Sequence, residues 1–282
     1  HAFANARVLV TGASGFIGCH VARRLVEMGA AVTGLSRHGR APTHWPRQVQ
    51  LLGCNLASRE QVLEVVQLVA PQYVFHLAAH PDGLENSQRT RDVLEINVMG
   101  VANLLEALVG LPAVTLVYGD SAKVYGNTGV PYRLGQGLEP LSTYAVSKVA
   151  CWGLVDVFRR VHGVRAVGLR PTLVYGPGQG FNLFTFIAQA VASGRREIEL
   201  AGGAQTRDPL YIDDAAAAFV AAAMHADALN GSNLPISGGH EYSVLDVAEL
   251  AVRVWGGSLR VVCCPTAVRP TETMRSWCEN DD

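Results

Sequence analysis

The chain has 282 residues, with 23 Lys and Arg against 24 Asp and Glu, for a formal net charge of −1. That balance excludes binding to nucleic acid or anionic membranes through bulk charge. With 49% hydrophobic and 17% charged residues it is not a disordered chain. Its length suits one large domain or two small ones, with a real core. No apolar run reaches the roughly 18 residues of a membrane span, and His1–Ala6 shows no basic-then-apolar leader. A cytoplasmic protein without membrane or nucleic-acid partners is therefore expected, its start being read as trimmed or tagged. The six cysteines form no CxxC pair and have no histidine at ligand spacing, so no disulfide framework and no metal site is expected.

In chain order, Arg7–Thr11, Ala31–Leu35, Val49–Leu52, Tyr73–Leu77, Val114–Tyr118 and Arg165–Leu169 read as short strands. They are apolar almost without interruption, as strands buried on both faces of a parallel sheet are. Between them lie helical patterns at Phe16–Met28, Arg59–Val69, Thr90–Leu108 and Thr143–Val161. This alternation predicts an α/β fold, a doubly wound parallel sheet of the Rossmann type. The last third changes texture. It holds helices at Asn182–Ala192, Asp214 to about His225, and Val244–Trp255, with strands at Ile198–Leu200, Leu234–Ile236 and Leu259–Val262. We expect a dinucleotide-binding domain at 1–174 and, at 175–282, mainly a smaller C-terminal substrate-binding lobe, partly interleaved with the first domain and truncated at its end. Ligands in such folds bind outside the carboxyl ends of the strands.

Thr11-Gly12-Ala13-Ser14-Gly15-Phe16-Ile17-Gly18 follows the first strand and opens the first helix. Gly12 permits the tight turn, Gly15 lets the backbone approach a pyrophosphate, and Gly18 allows close helix–sheet packing. The helix N-terminus presents N–H groups and partial positive charge to that anion. Gly12, Ser14, Gly15, Phe16, Ile17 and Gly18 are thus cofactor candidates. At the end of the second strand, where a carboxylate on the ribose would indicate NAD, stand Ser36 and Arg37. A hydroxyl followed by a guanidinium suits a 2′-phosphate, so NADP(H) is expected over NAD(H). Stacking of Arg37 on adenine is the alternative.

Tyr144 and Lys148 lie four residues apart on one face of a helix that Ser142 can cap. A tyrosine ordinarily ionises near pH 10, and a neighbouring ammonium favours the phenolate. A tyrosine so placed can exchange a proton with a substrate hydroxyl or carbonyl while a nicotinamide takes or gives hydride. Ser121, just past the fifth strand, can hydrogen-bond the same oxygen.

On these residues the chain resembles the extended short-chain dehydrogenase/reductases of the NAD(P)-dependent nucleotide-sugar epimerase/dehydratase family. The likeness is carried by TGASGFIG at 11–18, HLAA at 76–79, INVMG around Asn97, SAKVYG at 121–126, YAVSK at 144–148, RPTLVYGPG at 170–178 and RDPLYIDD at 207–214. It implies a catalytic trio of Ser121, Tyr144 and Lys148, with Lys148 also holding the nicotinamide ribose. It further implies that Leu77, Ala78 and Ala79 line the cofactor, that Asn55 and Leu56 flank adenine, and that Asn97 supports the lysine and helix geometry. Asn182, Arg207 and Arg269 stand where family members contact the diphosphate of a nucleotide sugar. Three departures stand out: Leu173 where Asn is common, Leu134 where an acid is expected, and an early end at Asp282.

Dehydratases of this kind need two carboxylates after the catalytic Ser/Thr, and here those positions are Ala122 and Lys123. With NADP(H) as cofactor, the reaction expected is reduction of a nucleotide-linked 4-keto-6-deoxyhexose. The alternative is an NAD-dependent 4-epimerase, and a lesser one is a dinucleotide-binding sensor without turnover. Thr90–Leu108 and Thr143–Val161 carry apolar residues on more than one face, in the first Val93, Leu94, Val98, Val101, Leu104, Leu105 and Leu108. One face can pack on the sheet and the other on a second copy, and the resemblance implies the same homodimer, through a four-helix interface. Sedimentation as a monomer at micromolar concentration would contradict that dimer.

Overall fold

The computed structural model describes residues 2–42, 45–81, 87–255, 258–265, 268–269 and 271–279. His1 and Asp282, the two chain ends, lie outside the described residues. The chain alternates β1 (Arg7–Thr11), α1 (Phe16–Glu27), β2 (Ala31–Ser36), β3 (Gln50–Gly53), α2 (Arg59–Val69), β4 (Tyr73–His76), α3 (Thr90–Leu94), α4 (Gly100–Leu108), β5 (Thr115–Gly119), α5 (Thr143–His162) and β6 (Arg165–Pro171). Then come β7 (Leu173–Tyr175), α6 (Leu183–Ala192), β8 (Glu197–Ala201), β9 (Thr206–Arg207), β10 (Pro209–Tyr211), α7 (Ile212–Met224), β11 (Asn233–Ile236), β12 (Tyr242–Ser243), α8 (Val244–Val254) and β13 (Arg260–Cys264).

Seven strands form one sheet in the order β11-β6-β5-β4-β1-β2-β3, and every pairing is parallel. The unbroken apolar strands follow from two buried faces. Val8 and Val10 pack with Val21 and Leu25 of α1 and Phe219 and Val220 of α7. Leu9, between them, points the other way into Val62, Leu104, Leu105 and Val155 of α2, α4 and α5. The strand order reverses between β1 and β4, which opens a crevice at their carboxyl ends. Two elements after Tyr175 return to this layer: α7 packs on α1, and β11 extends the sheet beside β6. The remaining C-terminal elements have their own core, with Ile187, Ala190, Ile198, Leu200, Ala248 and Val252 between α6, the β8–β13 pair and α8.

The span expected as a single helix at Thr90–Leu108 is interrupted by a π-helical turn, Glu95–Met99. An apolar repeat cannot reveal one inserted residue, and the reason for it lies elsewhere in the chain, at Asn97 (below). Its apolar residues are also less available than expected. Val93, Val101, Leu104, Leu105 and Leu108 are buried within the chain, because α4 lies against both α2 and α5. The outward stripe lies on α5, the second of the two helices, where Val146, Ala150, Gly153 and Val157 are all exposed at helical spacing; Leu94 and Met99 are also exposed.

Candidate active site

The glycine loop closes the crevice from below. Gly12 has φ of +64°, and a β-carbon there would stand 2.7 Å from the backbone of Ala78. At Gly18 a β-carbon would stand 2.2 Å from the carbonyl oxygen of Gly12, so any side chain would push α1 away from the loop. Gly15 is the N-cap of α1 and supplies no side-chain cap, which leaves the first-turn N–H groups facing the crevice. Above the loop is a cavity of about 340 Å³. Its walls are Gly12, Ser14 and Gly15, then Ser36 and Arg37 after β2, Asn55 and Leu56 after β3, and Leu77, Ala78 and Ala79 after β4. Phe16 lines an adjoining opening with Ser14, Gly15 and Pro177. The Ile17 side chain packs against the core between α1 and α7, so at the loop it offers its backbone. Ser36 brings to the wall a buried hydroxyl with no hydrogen-bond partner among the described residues. A cradle that any β-carbon would fill, an uncapped helix end and an orphaned hydroxyl together fit a dinucleotide.

Asn97 explains the π-helical turn. Its amide oxygen accepts the His80 N–H at 2.7 Å, and its amide nitrogen donates to the Ser147 hydroxyl at 2.9 Å and to the His80 carbonyl at 3.3 Å. The extra residue turns Asn97 inward, where it ties the loop after β4 to α5. Ser142 caps α5 as expected, accepting the Ala145 N–H at 3.2 Å. One turn along, Lys148 is buried, donating to the Gly119 carbonyl at 2.5 Å, with its ammonium 4.9 Å from the Tyr118 ring and 5.7 Å from that of Tyr144. A second ammonium, from Lys123, stands 5.9 Å from the Tyr144 ring.

Behind this group His76 is buried, with Nδ1 2.9 Å from the Thr11 hydroxyl. Burial, then the charge of Lys148, pushes its imidazole down to about 3. The unfolded chain binds a proton near pH 6.5 that the native state refuses. His76 therefore favours folding above pH 6.5, and that contribution is lost as pH falls from 6.5 toward 3, by up to about 1.4 kcal/mol per pH unit. His76→Asn should flatten the slope of unfolding free energy measured in urea between pH 6.5 and 4.5. An unchanged slope would show that His76 titrates normally.

A second cavity, of about 280 Å³, brings Ser121 together with Lys123, Leu173, Arg207, Arg269 and Glu272. Arg207 donates to the carbonyls of Thr206 and Thr273 and pairs with Glu272. Burial holds its guanidinium below the ordinary value, Glu272 opposing this and Arg269 adding like charge. Half-buried Arg207 and exposed Arg269 thus border the same cavity, where guanidiniums can meet an anion. Asn182 is not brought to this cavity. Its amide oxygen accepts the Thr185 N–H at 2.8 Å in a capping box on α6, and its buried amide nitrogen has no partner among the described residues.

Sequence reasoning missed four groups here. His76 sits in a motif that was given no proton role, and Lys123 was read solely as a missing acid. Glu272 carried no local signal. Asp120, directly before Ser121, is buried with Arg170: Nε of Arg170 is 2.9 Å from Oδ2, which also accepts from Asn233 at 2.7 Å. An acid at the end of a fully apolar strand was the available clue.

Known proteins can be set against this geometry. The sequence profile of the NAD dependent epimerase/dehydratase family matches residues 8–236. UDP-glucuronate 4-epimerase 4 of Arabidopsis thaliana is 29% identical over 242 residues, 80% of this chain and 55% of that protein. The chain thus spans about half the length of the first curated relatives it matches. Among solved structures, the UDP-glucose 4-epimerase of Thermus thermophilus in complex with NAD is 26% identical, with a TM-score of 0.85 over 96% of this chain and 90% of that one. MoeE5 in complex with UDP-glucose and NAD is 27% identical, with a TM-score of 0.86 over 96% and 88%.

These structures overturn the expectation of NADP(H), since they hold NAD. The inference from Ser36 and Arg37 took the lack of a carboxylate as a seat for phosphate. Lack of an acid removes a repulsion but builds no seat. The buried Ser36 hydroxyl can bond an uncharged ribose hydroxyl equally well, and Arg37 beside it is exposed to solvent.

Proposed function

The chain belongs to the NAD dependent epimerase/dehydratase family, and from that premise we propose that it is an NAD-dependent 4-epimerase of a nucleoside-diphosphate hexose. The carrying observation is that Ser121 shares one cavity with Arg207 and Arg269, while the Tyr144 ring stands 5.7 Å from the buried Lys148 ammonium. The reductase reading rested on NADP(H) and gives way with it. UDP-glucose and UDP-glucuronate, the sugars named with the relatives, are the first substrates to assay.

NAD, bound over the glycine loop, supplies a reversible two-electron oxidation at C4 of the sugar. Gly12, Ser14, Gly15 and the N-terminus of α1 would hold its pyrophosphate, Ser36 a ribose hydroxyl, and Leu77 to Ala79 its flank. Arg207 and Arg269 hold the sugar's diphosphate. Tyr144 takes the proton from the C4 oxygen and later returns it, Ser121 hydrogen-bonds that oxygen, and Lys148 favours the phenolate. Inversion needs one oxygen to lose and regain one proton, which a single acid–base residue provides. Elimination of water would need a second acid, and the residues after Ser121 are Ala122 and Lys123. The same reading includes a homodimer, with the exposed Val146–Val157 stripe of α5 as its contact. The test of the activity is conversion of a UDP-hexose to its C4 epimer by the purified chain. Failure with every UDP-hexose, NAD being present, would overturn it.

A further inference from the structure

We propose that Tyr118 is a positioning residue whose ring holds the Lys148 ammonium in place and in its charged form, and so sets the pH at which Tyr144 exchanges its proton. This rests on Tyr144 being the acid–base residue of the 4-epimerase reading. A buried ammonium without compensation either moves out to water or gives up its proton. Lys148 is buried, and its hydrogen bond to the Gly119 carbonyl engages one of three N–H groups. Among the described residues it makes no ion pair. Asp120, whose charge is felt by Lys148, is itself engaged by Arg170 and Asn233. What the ammonium does have is the Tyr118 ring. It stands over that ring, 4.9 Å from the centre, against 5.7 Å for Tyr144. The negative face of an aromatic ring attracts a cation, and more strongly where water is excluded.

The ring is fixed by a row of residues that runs across the sheet. Thr11, His76, Tyr118 and Gly168 stand side by side on β1, β4, β5 and β6. The Thr11 hydroxyl lies 2.9 Å from His76 Nδ1, and the His76 ring stacks on that of Tyr118, with centres 5.9 Å apart and planes 9° from parallel. At Gly168 a β-carbon would stand 2.8 Å from Trp152, so the missing side chain leaves room for the indole, which stacks on Tyr118 from α5. Burial, then Cys151 and Asp120, pushes the Tyr118 phenol well above its ordinary value. It therefore stays a neutral ring and leaves proton exchange to the half-buried Tyr144. The other groups that bear on this pair are His76 from β4, Asp120 after β5, Cys151 from α5, and Lys123 beyond Ser121. Burial keeps His76 unprotonated and raises the Cys151 thiol, so both are uncharged near neutral pH, and Lys123 adds like charge. The π-face of Tyr118 is the support that remains for Lys148.

The experiment measures two pH midpoints with NAD bound, in the wild-type chain, Tyr118→Leu and Tyr118→Phe. One is that of kcat/KM for epimerisation of a UDP-hexose. The other is that of the phenolate absorbance at 295 nm that Tyr144→Phe removes from each background. Tyr118→Leu should raise both midpoints by about one pH unit, a tenfold smaller phenolate fraction at a given pH. Tyr118→Phe keeps the ring and should restore the wild-type midpoints. Ring fluorination of the phenylalanine in Tyr118→Phe weakens the negative face with little change of shape, so it should raise the midpoints again, and it decides the matter if Tyr118→Leu does not fold. Midpoints unchanged in folded Tyr118→Leu or on fluorination would overturn the proposal, even with kcat lowered, because Tyr118 would then serve the fold alone. An equal rise in Tyr118→Phe would overturn it too, since the hydroxyl and not the ring would be at work. If the wild-type chain epimerises no UDP-hexose, the epimerase reading fails, and the 295 nm midpoints decide Tyr118 by themselves.

Discussion

Tyr144→Phe should lower kcat for epimerisation at least a hundredfold while leaving NAD affinity within about twofold, the range reflecting loss of one acid–base group. The ring is kept, so its contacts with the ammoniums of Lys123 and Lys148, at 5.9 and 5.7 Å, survive. What is lost is the oxygen that takes and returns the proton. Lys148 cannot replace it: its ammonium is buried and donates to the Gly119 carbonyl. Stopped assays of epimer formation, with NAD titrated by calorimetry, check both halves. Activity within tenfold of wild type would move the proton to another group.

The largest effect on stability is expected at Asp120. Asp120→Ala should cost about 3–5 kcal/mol of unfolding free energy, because it strands a buried guanidinium. Oδ2 of Asp120 accepts from Arg170 Nε at 2.9 Å and from Asn233 at 2.7 Å, and Arg170 donates onward to the Tyr125 hydroxyl at 3.1 Å. The network joins the end of β5 to β6, to β11 and to the turn that carries Ser121 and Lys123. Burial pushes the Asp120 carboxyl up, and Arg170 and Lys148 pull it back. The pair is thus held by mutual neutralisation in a dry place, and its two halves are not independent. Asp120→Leu combined with Arg170→Met should be more stable than Asp120→Ala, since it buries no uncompensated charge. Urea unfolding checks this. A single-variant loss under about 1 kcal/mol would mean that Arg170 finds water or another acceptor.

Much of this was legible in the residues, for physical reasons that differ by element. β1 at Arg7–Thr11 and α2 at Arg59–Val69 are bounded as the apolar pattern dictates, because their signals are local. The glycine loop was legible because the space at Gly12 and Gly18 admits nothing larger. The π-helical turn at Glu95–Met99 was not, since its cause is a bond from Asn97 to residues 17 and 50 positions away. Interleaving of the last third with the main sheet was expected, but that β11 is the strand that returns was not legible, because a parallel partner is chosen by a long connection and not by the four residues of the strand. In the site, Ser121, Arg207 and Arg269 converge on one cavity, whereas Asn182 spends its amide oxygen on its own helix. The cofactor failed for a chemical reason: a serine at the end of β2 suits a hydroxyl as well as a phosphate.

The most direct test of the central claim follows the C4 centre itself. The purified chain is incubated with UDP-glucuronate, and separately with UDP-glucose, at catalytic amounts of NAD, and the sugars are read by proton NMR while absorbance at 340 nm is recorded. A 4-epimerase must give the C4 epimer far beyond the NAD supplied, approach one mixture from either epimer, and leave no lasting rise in absorbance. Absorbance rising in step with substrate consumed, or sugars unchanged in every case, would contradict it.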